Sequence, residues 1–181
     1  MSLQLSSFPE PVRDMLAGLT NSPLPLIHTT IEGDAKPAGL EGKSAPHLFP
    51  GARYPREALS GLLLRLNRWE ESHELSQALN TIEGSYWHGI AHRLEPDYGN
   101  ASYWFRRVGR HPIFPRLQAA AAHIVGAQST PWRLKQEWDP FLFIQWCEEA
   151  SGGGDASQVK AATAIQNAEW ELLFEWCAGP I

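Results

Sequence analysis

The sequence predicts an all-α fold, an irregular bundle of about six helices with an extended Pro/Gly-rich N-terminal arm. Three observations carry that expectation. Apolar residues recur three and four apart over long proline-free stretches beyond Pro55. Helix start and stop residues punctuate those stretches. No hairpin turn and no strand-like alternation competes with them. For 181 residues, size scaling takes about 29,000 Å² of unfolded surface down to roughly 8,800 Å², so about 70% is buried and the core needs no metal or disulfide to form.

The elements follow in chain order. Residues 9–19, PEPVRDMLAGL, read as a short helix with Pro at its entry and Gly18 near its exit. Residues 19–54 hold Pro23, Pro25, Pro37, Pro46 and Pro50 together with Gly33, Gly39, Gly42 and Gly51. That density of breakers excludes a long helix or a central strand and predicts an extended arm. The division is therefore residues 1–54, a short helix and arm, and residues 55–181, the helical domain. A first long helix is expected from Arg56 to Asn80, with Leu59, Leu62, Leu66 and Trp69 on one stripe that continues to His73 and Gln77. A second runs from Ser85 to Leu94, limited by Pro96. The third starts at Asp97 and ends near Gly109, and the fourth, Ala-rich, runs from Pro115 to Val125 before Gly126. Asp139-Pro140 opens the next by pairing an N-cap with Pro at the first helical position, and Gly152 to Gly154 close it. Asp155 with Gln158 reads as a capping box for a last helix to Cys177, stopped by Gly179-Pro180.

Composition excludes several classes. At 43% hydrophobic and 19% charged the chain is neither collagen-like, coiled-coil nor wholly disordered. A net charge of −5 offers no general attraction to phosphate backbones, so nucleic acid is not an expected partner. No window approaches 18 apolar residues, and the start lacks both a basic and an apolar leader region, so neither a membrane span nor a signal peptide is expected. Cys147 and Cys177 are the only cysteines and read as buried thiols of a cytoplasmic protein. Oligomeric state stays open.

Chemistry concentrates between Glu83 and Pro112, a segment with three of the seven histidines. At about 100° per residue, with His88 at zero, His92 falls near 40° and Glu95 near −20°, a narrow row flanking an apolar arc formed by Trp87, Ile90, Ala91 and Leu94. Histidines four apart on a helix can chelate one divalent ion such as zinc, which makes His88, His92 and Glu95 candidate metal ligands. On the next helix Asn100, Trp104 and Arg107 share one border, and His111 extends it if the helix persists past Gly109. If the two helices form a hairpin these borders meet, with His73 and Gln77 on a third side. His73 and His92 are then candidate proton-transfer groups, and Gln77, Asn100, Trp104, Arg107 and His111 candidate ligand-binding residues, Arg107 holding a small anionic molecule. Each histidine also has an ordinary reading as a hydrogen-bonded or surface residue. No Gly-x-Ser-x-Gly elbow, Walker loop, dinucleotide turn or Cys-x-x-Cys pair occurs. The alternative is a non-catalytic module that docks a protein partner through the hairpin or the Trp-rich C-terminal helices.

The run YWHGIAHRLEPDYGNASYWFRRVGRHP, preceded by Ser72-His73-Glu74 and followed by Trp138-Asp139-Pro140-Phe141, resembles a group of uncharacterised helical proteins of bacteria and fungi. The resemblance covers residues 70–145 and implies a helical fold without implying an activity. Within it, Gly89, then Ala101, Phe105 and Val108, then Pro112, is similar in spacing to one tetratricopeptide repeat with Asp97-Tyr98 in the turn. That implies a helical hairpin. His88 and His92 stand where the repeat has Leu and Tyr, and no second repeat follows, whereas stacked arrays need three or more. Repeat packing would turn both histidines inward, in conflict with a position beside the buried face.

Overall fold

The computed structural model describes residues 4–19, 22–29, 40 and 44–180. The rest of the expected arm, residues 20, 21, 30–39 and 41–43, lies outside the described residues. Among those described there are nine α-helices and no strand: α1 (Glu10–Ala17), α2 (Ala45–Leu48), α3 (Pro55–Arg65), α4 (Trp69–Gln77), α5 (Ile82–Leu94), α6 (Tyr98–Val108), α7 (Phe114–Gln128), α8 (Pro140–Ser151) and α9 (Ala156–Ala178). The fold is all-α, as the periodicity predicts. No described helix is long and apolar enough to cross a membrane.

The caps explain most of the boundaries. Asp97 accepts from Asn100 N, Asp139 from Phe141 N and Leu142 N, and Asp155 forms a complete capping box with Gln158. Three expectations change. The long helix expected from Arg56 to Asn80 is two helices. Asn67 takes a left-handed backbone (φ 58°), while Arg68 N bonds Leu63 O (2.8 Å) and Asn67 N bonds Leu64 O (3.1 Å). This is the paired closure of a Schellman motif with Asn in place of Gly. Next, α5 begins three residues earlier than expected, because Thr81 accepts from Gly84 N at 3.0 Å. Finally, α7 runs through Gly126 to Gln128 and stops at left-handed Ser129.

α5 is the central element. All of its residues except Ile82 are buried, as a helix enclosed on every side must be. α4 folds back along α3 through small side chains, with Ser60 Oγ and Ser72 Oγ 2.9 Å apart, and both helices lie against α5. α6 forms the expected hairpin with α5. A Cβ on Gly89 would come within 2.9 Å of the Phe105 ring, so the close approach of the two helices requires glycine there.

α9 closes the core through Trp170, Leu173 and Phe174. Its Glu169 is fully buried and ion-paired to fully buried Arg93 of α5, and Tyr86 donates to the same carboxylate at 3.0 Å. The described arm residues pack on this body. Leu24 and Leu26 are buried, Asn167 bonds both the N–H and the carbonyl of Leu24, and His28 N bonds Leu94 O at 2.7 Å. The last contact satisfies a carbonyl that the end of α5 leaves without a helical partner. Cys147 and Cys177 are both buried and unpaired.

Candidate functional site

Three imidazoles meet where α4 lies across α5. Trp69, at the start of α4, donates its indole N–H to Ala91 O at 2.8 Å and clamps the helix in place. One turn later His73 faces His88 and His92 of α5. The ring centroids are 4.3 Å apart for His73 and His88, 4.9 Å for His73 and His92, and 4.7 Å for His88 and His92. One nitrogen from each ring lies within 4.8 Å of the others.

The surrounding hydrogen bonds set the tautomers. His88 Nδ1 lies 3.2 Å from the His73 carbonyl and 3.0 Å from Ser76 Oγ. Since a carbonyl only accepts, Nδ1 carries the proton and Nε2 presents its lone pair. Ser76 in turn donates to the same carbonyl at 3.1 Å. His88 Nε2 faces His92 Nε2 at 3.2 Å, a gap that suits a shared proton or a cation bound by both. On the far side of His92, Glu95 Oε2 is 3.3 Å from Nδ1, within ion-pair reach but not aligned as a hydrogen bond. His73 Nε2 is buried with no hydrogen-bond partner.

Two indoles wall the site. Trp69 stacks on His73 at 4.8 Å, with His28 of the arm stacked on the other ring contact of Trp69 at 5.4 Å, and the Trp104 ring stands edge-on to His88 at 4.3 Å. Burial pushes the His88 imidazole down to about 4, helped by the neighbouring His73 and His92, and burial lowers His73 also. Both are thus neutral near pH 7, the form in which imidazole ligates a metal.

The residues singled out from the sequence fall into four groups, His111 standing alone in the last. His73, His88, His92 and Trp104 come together. Glu95 lies behind His92 and is no member of the three-histidine group, although it forms a second group of neighbouring donor atoms with His92 and Asp97. Asn100 is exposed and bonds Asp97 at 2.7 Å, Gln77 is exposed at the end of α4, and Arg107 is exposed with its guanidinium 5.0 Å over Trp104. These three do not line the histidine cluster.

His111 does not extend the border of α6, which corrects the expectation. α6 ends at Val108 and Gly109 turns the chain (φ 61°), carrying His111 to the opposite flank of α5. There it is buried 3.7 Å from Glu83, a carboxylate that also accepts from Trp176 at 2.9 Å. Burial favours the neutral form of Glu83, but the facing His111 and the Trp176 N–H outweigh it and hold the carboxyl below its ordinary value.

Sequence reasoning missed the Arg93–Glu169 pair, because a charged residue inside a helical pattern ordinarily faces solvent. It also missed Ser76, whose contact with His88 depends on how α4 is phased. A separate cleft of about 940 Å³ lies between α6, residues 135–139 and the start of α8, walled by Phe105, Arg106, Trp138 and Phe141, and includes none of the three histidines. Comparison with protein-family models, with curated proteins and with solved structures finds no match to this chain in any of the three.

Proposed function

We propose that this protein binds one divalent transition-metal ion, zinc in the first instance, through His73, His88 and His92. The observation that carries the reading is the His88–His92 nitrogen pair at 3.2 Å beside the buried, partnerless Nε2 of His73. With Zn–N bonds of about 2.0–2.1 Å and tetrahedral angles, two ligating nitrogens stand about 3.3 Å apart, so the pair already has the spacing of two zinc ligands. The outer contacts favour the same reading. The His73 carbonyl and Ser76 orient His88, and Glu95 stands behind His92 as carboxylates do behind metal-bound imidazoles. An all-imidazole donor set selects zinc, copper or nickel over magnesium or calcium.

The test is metal analysis of protein purified without a histidine tag, followed by calorimetric titration of the metal-stripped chain with zinc. One equivalent per chain is expected, with uptake abolished in His88→Ala/His92→Ala and greatly weakened in His73→Ala. A wild-type chain that takes up no zinc would sink the reading. The role considered for Arg107, holding an anionic substrate, has less support, since its guanidinium lies outside Trp104. For the interaction-module alternative, Phe143, Trp146, Trp170 and Phe174 are buried in the core, which leaves Tyr103 of the hairpin and Phe141 of α8 as exposed aromatic residues on those elements.

A further inference from the structure

We propose that the metal held by His73, His88 and His92 keeps one coordination position that no protein side chain fills, and that this position takes water or a small monoanion. The inference rests on the metal-binding reading above and names the ligand class of that same site.

The donor count is the first support. Among the described residues the three-histidine group gains no fourth His, Cys, Asp or Glu. Both thiols lie in the apolar core. Four-coordinate sites with three protein ligands fill the last position with water or substrate, whereas closed structural sites supply all four donors themselves.

The surroundings bear on solvent access. His88 is 1% exposed, and aromatic rings back the site at His73 (Trp69) and His88 (Trp104). These indole faces offer no oxygen to a metal. Of the three rings His73 is the most exposed: it is half-buried, whereas His88 and His92 are buried, so solvent lies nearest the cluster at His73.

Charge then selects the ligand. Three neutral imidazoles leave the ion its full double charge, which attracts an anion, while Glu95 beside His92 offsets part of it. The balance favours a monoanion over a dianion such as sulfate.

Cobalt(II) tests this, because its visible bands report coordination number and ligand exchange where zinc is silent. The full-length chain is loaded with one equivalent of cobalt(II) and titrated with sodium azide, with sodium perchlorate as the ionic-strength control and sodium sulfate as the dianion. The expected result is a saturable, one-to-one change of the cobalt bands with azide and none with perchlorate or sulfate. If cobalt binds stoichiometrically but azide leaves the bands unmoved, the fourth position is closed by protein and the inference fails while metal binding stands. If sulfate moves the bands as readily as azide, the monoanion class is wrong. If cobalt is not taken up at all, the metal-binding reading itself falls, and this inference with it.

Discussion

His88 lies deepest in the cluster, and its chemistry follows from that burial. A free imidazole takes a proton near pH 6.5, whereas His88 in the fold holds out to about 4. In the metal-free protein the unfolded chain therefore binds this proton at a pH where the folded chain does not. The stability owed to neutral His88 is complete above about pH 6.5 and is lost as the pH falls toward about 4, with His73 acting in the same direction. Urea midpoints measured at about pH 7 and about pH 5 should differ, and the difference should shrink in His88→Gln, which keeps a neutral polar side chain. An equal difference in both proteins contradicts the assignment. The contacts behind the ligands are separately measurable. Ser76→Ala and Glu95→Gln should each weaken zinc binding about 10- to 100-fold at unchanged stoichiometry, as losses of outer contacts generally do. The row of His88, His92 and Glu95 was legible because its members share one helix, where angle follows from spacing. His73 joins from a different helix, and its meeting with the others depends on a turn that spacing alone does not reveal.

That turn is the joint between α3 and α4. A leucine stripe running past residue 66 suggests continuity, but Asn is the one common residue besides Gly that tolerates the left-handed backbone closing a helix. Asn67→Val should cost about 1–2 kcal/mol, because a branched side chain in that conformation meets its own carbonyl. Thermal or urea unfolding measures it. The same joint sets the phase of α4 and so should weaken zinc binding when strained. Helix packing elsewhere depends on two glycines. A Cβ at Gly61 would lie 2.5 Å from the Trp87 ring, and Trp170 donates to the Gly61 carbonyl at 2.8 Å. Gly61→Ala should destabilise by about 1–3 kcal/mol through overpacking, and an unchanged melting temperature would show that the Trp87 ring can move aside. Caps supplied by Asp were legible because Asp139-Pro140 and Asp155 with Gln158 carry their own local signature. Thr81 was not, since it precedes Ile82, Glu83 and Gly84 without the pattern of a capping box.

One buried ion pair ties the chain together across 76 positions, from Arg93 to Glu169. Neither end is exposed, and Gln166 extends the network by accepting from Arg93 Nε at 3.2 Å and donating to Pro25 O of the arm. Removing one partner leaves a bare charge in the core. Arg93→Met should cost about 3–5 kcal/mol, while Arg93→Met with Glu169→Leu should recover much of that loss. A double-mutant cycle in urea decides it, and additive losses would mean that the two charges are each satisfied independently.

The helical class, the order of the main helices and the row on α5 are properties of the sequence, because backbone propensity, capping and side-chain period act within a few residues and need no partner. Which charges are buried, how α4 is phased against α5 and where His111 ends up were decided by packing. Those outcomes depend on contacts between residues far apart in the chain, where a single left-handed residue or a single glycine redirects everything beyond it.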